Sequence, residues 1–466
     1  MPTLVNSDSR SVILVIITIG TFLNPFTGSS INLALPLIGE EFAIDAIMLS
    51  WIPAAYLLST SIFLLPAGML GDIIGRAKVF SIGTLVYTVA SLLAFFTPNA
   101  PLLLACRFLQ GIGGAMLYGT AVGIIAELYP PGERGRAIGI NVMAVYGGMT
   151  LGPFIGGLLT QFFGWRSIFF VTVLLGCIVL FNVRKFPLFL NENRRESFDY
   201  KGAVLSGIAL VLFFIGVSRI PTTAAFWLIL LSGLTFLLFY HVETKQASPL
   251  FPIPLLSKNR TFSFSNLAAL INYSATYAVT FLMSLYLQVV QGMSPAAAGS
   301  VLLIQPFVQM IVSPVAGRLS DRMDPSHLAS LGLLISSFGL LGLALLGASA
   351  SIPHVALFLV LLGIGLGLFS TPNTTVIMGS VEREHYGLAS SLLAAMRNTG
   401  MMLSMGIVMI VFALYLGTSA ITPAISAGFL ASMHLILLVF FVMTILGAII
   451  SLDKHRGLTS LFSDRD

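Results

Sequence analysis

Two arginines are embedded in apolar sequence. Arg107 lies in PLLLACRFLQGIGG with Gln110 one helical turn further on, and Arg397 lies in AMRNTGMMLSMG. A charge at such a position is expensive and marks a functional candidate, because a guanidinium shielded from water grips anions or carbonyl oxygens; Arg397, nearer the end of its apolar run, reads instead as structural. Other polar groups recur at helical spacing. Asn266, Tyr273, Tyr277, Thr280, Ser284 and Gln288 fall three, four or seven residues apart, so they share one face of a helix. Gln305 and Gln309 repeat the pattern, and Asn24, Thr27 and Asn32 add polar groups near the N-terminus. These side chains bind; they do not break bonds. Tyrosine rings stack and hold cations, while amides and hydroxyls both donate and accept. The competing role for each is interhelical bonding worth about 1 kcal/mol. The sequence offers no nucleotide loop, metal cluster or catalytic triad, so neither an enzyme nor a cofactor is expected. Cys106 and Cys177 fall in apolar runs and read as small hydrophobes.

The elements that must position these residues follow from composition. The chain is 57% hydrophobic and 9% charged with mean hydropathy +0.97, against roughly 25% charged in ordinary soluble domains. That predicts an all-α integral membrane protein whose partners are the lipid bilayer and a small molecule, with no nucleic acid. Apolar runs long enough to cross a bilayer begin near 12–35, 47–70, 79–97 and 101–126 and end near 389–416 and 428–451, about fourteen in all. Of the 23 Lys+Arg, only Arg166 and Arg219 fall in loops of one face, and Arg107 and Arg397 fall within spans; the rest gather on the other face. The positive-inside rule therefore places both termini in the cytoplasm and the chain in the cell membrane.

GMLGDIIGR from Gly68 and GRLSDRMD from Gly317 share GxLxD about 250 residues apart, whereas equal six-span halves would repeat after roughly 200. Two extra spans fill the difference. The expected units are residues 1–185, a six-helix bundle; 186–245, helices 7 and 8 with a linker; and 246–466, a second six-helix bundle with a tail. Glycines inside the fifth run, GGMTLGPFIGG, would weaken a soluble helix by about 1 kcal/mol each. In lipid they suit close packing instead. Gly148, Gly152 and Gly156 stand four apart on one face and form a groove for a neighbouring span, with Pro153 expected to bend the helix.

Three ordered motifs make the chain resemble the major facilitator superfamily, in its fourteen-helix drug:proton antiporter branch. They are Gly68, Leu70, Asp72, Gly75 and Arg76 after span two; Arg107, Gln110, Gly111 and Gly113 in span four; and Gly148, Gly152, Pro153, Gly156 and Gly157 in span five. GWRSIFF and FDYKG look like further marks of the branch. The resemblance implies alternating access between two rocking bundles, a preference for export, and a cytoplasmic gate. In that gate Asp72, Arg76 and Glu127 would cluster, echoed by Gly317, Asp321 and Arg322. Glu127 lies about 200° around an ideal helix from Arg107, so the two are not expected to pair.

One departure matters. Where that branch usually carries an aspartate in span one, this chain has Thr27, and none of its 18 acids sits at mid-membrane depth. His434 is a lone histidine more readily read as interfacial. The leading expectation is a monomeric exporter of amphipathic organic compounds powered by the proton gradient, coupled through Glu127 or Asp72. The alternative is a uniporter or exchanger of a small organic anion held by Arg107. A membrane scaffold or sensor without transport is the third reading.

Overall fold

The computed structural model describes residues 7–183, 197–246, 249–382 apart from 252, 254–255 and 257–258, and 386–452 apart from 418. Several basic residues assigned above to the cytoplasmic face, Arg184, Lys185, Arg194, Arg195, Lys258, Arg383, Lys454, Arg456 and Arg465, lie outside the described residues.

Among the described residues fourteen long helices follow one another: α1 Ser7–Phe42, α2 Ala46–Ile74, α3 Arg76–Phe95, α4 Ala100–Leu128, α5 Pro131–Phe163 and α6 Arg166–Asn182. Next come α7 Tyr200–Ser218 and α8 Thr223–Glu243. The last six are α9 Arg260–Val290, α10 Pro295–Ser320, α11 Pro325–Ala344, α12 Ile352–Gly379, α13 Tyr386–Tyr415 and α14 Ser426–Leu452. Thirteen are long and apolar enough to cross a membrane, and α6 is an apolar helix only slightly shorter. With an even number of successive crossings, α1 starts and α14 ends on the same side, the terminal face; the other is the distal face.

Several helices overrun the apolar runs that announced them. α1 has 36 residues and α5 has 33, or about 50 Å at 1.5 Å per residue, against a hydrocarbon core of roughly 30 Å. Hydropathy sees only the lipid-facing stretch; the helix goes on until a cap or glycine stops it. Asp45 caps α2 by accepting from Met48 N–H at 2.7 Å, and Asn259 caps α9 by accepting from Phe262 N–H at 2.9 Å. Gly75, at φ 99°, makes the turn from α2 to α3 that a side chain would strain. α10 breaks at Leu303, because Pro306 has no N–H for the Leu302 carbonyl one turn back. α9 ends in a π-helical turn at Tyr286–Val290.

α1 to α6 pack mainly on one another, as do α9 to α14, while α7 and α8 form a hairpin whose α7 touches both α2 and α13. The span-five glycines find their partner within their own half. Gly148 meets Phe22 O and Pro25 of α1, Gly152 meets Ser29, and Gly156 lies against the backbone of Ser30. Ser29 and Ser30 hydroxyls donate to the carbonyls of Gly148 at 3.2 Å and Gly152 at 2.9 Å. The next residue, Gly157, points elsewhere and meets the carbonyl of Pro295 on α10, as Gly299 meets Pro153 O. Only that end of the motif seals one half to the other.

Further contacts between halves lie toward the distal face. Ser284 Oγ donates to Asn32 O at 2.6 Å and Gln288 Nε2 to Leu33 O at 3.2 Å. Ala296 N–H donates to Gln161 Oε1 at 3.2 Å, and Ala46 N–H to Ser419 O at 3.1 Å. The GWR stretch braces the same face of the first half: Trp165 Nε1 donates to Glu41 at 2.7 Å, and Arg166 pairs with Glu41 at 2.8 Å. Toward the terminal face, α5 carries exposed residues such as Met143 and Ile140, and α10 carries Ile311 and Val315.

Candidate functional site

Arg107 is buried to 1% exposure in the interior of the first half. Its Nη1 donates to Gln110 Oε1 at 2.8 Å, its Nε to Ile52 O at 3.3 Å, and its guanidinium lies 4.7 Å over the Tyr56 ring. Gln110 is oriented in turn by donating to Ser91 Oγ at 2.8 Å. Tyr56, Tyr87 and, from the second half, Tyr277 are the ionisable groups that feel its charge. No carboxylate pairs with it among the described residues. The carbonyl that anchors it is therefore on α2. Asn24 closes the side of the site by donating to Gly114 O at 3.3 Å, leaving its buried Oδ1 without a donor. Gly114 is needed there, since a Cβ would stand 2.8 Å from that oxygen and 3.0 Å from Tyr56 Oη.

A second arginine–tyrosine site lies in the second half. Arg397 Nη2 donates to Thr374 Oγ1 at 3.1 Å, and the guanidinium lies 5.6 Å over the Tyr273 ring. Tyr146, from α5 of the first half, hydrogen-bonds Ser370 at 3.3 Å and interacts electrostatically with Tyr273 and Arg397. A tyrosine of each half thus stands within electrostatic reach of the arginine of the other. Sequence reasoning set Arg397 aside as structural and missed Tyr56, Tyr87 and Tyr146; hydroxyl-bearing aromatics in otherwise aliphatic helices were the available signal.

The remaining candidates scatter. Thr27 is fully buried inside the first half, 3.0 Å from Thr172 Oγ1 of α6, and does not join Tyr273 or Tyr277. Asn32 contributes its backbone oxygen to the distal seam. Within the span-nine stripe, Ser284 and Gln288 are seam residues and Asn266 bonds back to Phe262 O at 2.9 Å. Gln309 is 7% exposed and Gln305 partly buried; their backbones pack on Gly367 and Gly363 of α12. His434 Nε2 is taken by Leu346 O at 2.8 Å.

At the terminal face Arg76 bridges two acids, Asp72 at 2.8 Å and Glu127 at 2.5 Å. Gly123 leaves room for the guanidinium, and Gly68 meets Gly119 backbone to backbone. Glu127 therefore belongs to Arg76 and not to Arg107. The repeat does not build the same cluster: Asp321 and Arg322 are exposed and form no ion pair among the described residues, and Gly317 meets Thr371. Arg76→Gln removes the cation that bridges Asp72 and the shielded Glu127 carboxylate. We expect a loss of about 1–3 kcal/mol, read as a lower thermal unfolding midpoint in detergent. An unchanged midpoint would mean that solvent already screens the cluster.

Two bundles joined across a seam, each holding a buried or half-buried arginine that pairs with no carboxylate among the described residues, define a multi-pass membrane transporter of small molecules. A family model described as Major Facilitator Superfamily matches residues 17–405 and 265–459. The riboflavin transporter RibZ of Clostridioides difficile (strain 630) is 32% identical over 388 residues, spanning 83% of this chain and 85% of that protein. Multidrug resistance protein Stp of Mycobacterium tuberculosis (strain CDC 1551 / Oshkosh) is 30% identical over 424 residues, spanning 88% of this chain and 78% of its own. In fold, a solved bacterial homologue of the human lysosomal transporter Spinster superposes with a TM-score of 0.70 at 18% identity, covering 98% of this chain and 99% of that one. The chain belongs to the major facilitator superfamily.

Proposed function

We propose that this protein exports planar aromatic, amphipathic compounds, neutral or anionic, from the cytoplasm across the cell membrane by alternating access of its two bundles. One observation carries the reading: Arg107 is buried under Tyr56 with no carboxylate partner among the described residues. Such a site attracts carbonyl oxygens and anions and repels cations, and its tyrosines stack on flat rings. Riboflavin, the compound named for one relative, is a planar tricycle edged with carbonyls, and the multidrug relatives support export of amphipathic molecules. The terminal face is the cytoplasmic one, supported by Arg76, Lys78, Arg134, Arg136, Lys201 and Lys245 gathering there. The proton gradient is its energy source, and the protein acts as a monomer with no cofactor.

The test uses proteoliposomes and three fluorescent probes: riboflavin, anionic fluorescein and cationic ethidium. Movement of riboflavin and fluorescein, with ethidium excluded, is the expected result. Ethidium movement without either of the others would overturn the acid-free, Arg107-centred site.

A further inference from the structure

The inserted hairpin carries a group that the arginine sites do not use. Asp199, just before α7, and Glu243, the last residue of α8, are each 1% exposed. Their carboxyls meet over Gly202, where any Cβ would collide with both Asp199 Oδ2 and Glu243 Oε2. Asp199 Oδ1 accepts from Gly202 N–H at 2.9 Å and Gln246 Nε2 at 3.0 Å, and its Oδ2 accepts from Leu250 N–H at 3.3 Å. Glu243 Oε1 accepts from Phe251 N–H. Glu243 Oε2, equally buried, accepts from no donor.

No cation offsets this pair among the described residues. On α7, Tyr200 and Lys201 are exposed. On and after α8, Lys245 sits 3.0 Å from the His241 ring on an exposed surface. From α2 the pair meets Met69 Sδ, which accepts from Asp199 N–H at 3.4 Å, while Asp72 on that helix is held by Arg76. Arg397 of α13 is engaged with Thr374 and Tyr273.

Two buried carboxylates held this close cannot both ionise without strong repulsion, and one shared proton would let an O–H of one group donate to the other. We propose that Asp199 and Glu243 form a proton-binding site that fastens the two ends of the α7–α8 hairpin to the segment leading into α9. With one proton bound, a single O–H donates to the neighbouring carboxylate, and the amides of Gly202, Leu250 and Phe251 are held together. When pH rises the proton leaves to water, two negative charges face each other, and the fastening loosens. The hairpin is placed to pass this on to both halves: Phe214 of α7 stacks edge-on with Trp51 of α2 at 5.1 Å, and a Cβ added to Gly406 of α13 would stand 3.6 Å from both Phe214 and Val217. None of this depends on the identity of the transported compound.

The test is infrared titration of the full-length protein in lipid without substrate, beside hydrogen exchange at residues 199–202 and 250–251. The wild type should show a carboxylic-acid C=O band that disappears as pH rises through neutrality, with those amides losing protection over the same range. In Glu243→Gln the band should be absent and protection should not change with pH beyond the intrinsic exchange rate. Asp199→Asn, which keeps the oxygen that caps α7, provides a second variant should the first fold poorly. A wild-type spectrum without a titrating acid band, or a band that survives both substitutions, overturns the proposal. So does wild-type pH dependence of exchange in either variant.

Discussion

Arg107→Ala is expected to lower transport about 10- to 100-fold while the protein still folds. The estimate comes from the 1.5–3 kcal/mol that a hydrogen bond to a charged group typically contributes, at 1.4 kcal/mol per factor of ten. Folding should survive because the neighbours keep other partners: Gln110 still donates to Ser91 Oγ, and Tyr87 Oη still donates to Leu23 O at 3.3 Å. Arg107 also leaves Nη2 without a described acceptor, so removing the side chain orphans only the carbonyl of Ile52 and Gln110 Oε1. Transport of riboflavin in proteoliposomes, beside a thermal melt of the same preparation, separates the two effects. Arg107→Lys should recover only part of the rate, since a point charge lacks the planar fork. Undiminished transport by the alanine variant would remove Arg107 from substrate recognition.

Gly156→Leu is expected to produce the largest loss of stability among these substitutions, about 3 kcal/mol. An added Cβ would stand 2.6 Å from Ser30 Cα and 2.5 Å from Ser30 Cβ, too close for side-chain rotation to relieve because one of the atoms is backbone. Overpacking of this kind forces helices apart and breaks the Ser30-to-Gly152 hydrogen bond with them. The unfolding midpoint should fall by many degrees and the yield with it. Gly157→Ala, at the seam with Pro295, should instead depress transport more than stability, because its contact joins the two halves. A midpoint for Gly156→Leu equal to that of the wild type would sink the close-packing account.

Much of the fold was legible because a bilayer imposes a simple rule, one long apolar run per crossing. The glycine face of α5 was legible for the same reason: four-residue spacing fixes a face on any helix. What spacing does not fix is the partner, so the sequence could not say that Gly148, Gly152 and Gly156 face α1 while Gly157 faces α10. The site suffered more from this limit. Thr27 and Tyr277 both read as polar residues in mid-span, yet one turns toward Thr172 inside its own half and the other toward Arg107 in the opposite half. Arg397 was discounted by its distance from the helix end, a one-dimensional measure that ignores Tyr146 arriving from α5. Asp199 was noted only as part of FDYKG and Glu243 not at all, because each, alone, reads as an ordinary charge at a helix end. The repeated GxLxD at Gly317 misled in the opposite sense, since a shared turn does not supply the acid and arginine that the first copy gathers.

The two arginines without a carboxylate partner among the described residues also bear on the membrane voltage. If the seam opens to alternate faces as proposed, the empty carrier takes uncompensated positive charge through part of the electric field at each return, and each elementary charge moved through 100 mV carries about 2.3 kcal/mol. An anionic passenger cancels that charge on the loaded journey. Loaded and empty steps then differ in their electrical work, so the resting potential of the cell becomes a term in the direction and speed of the cycle.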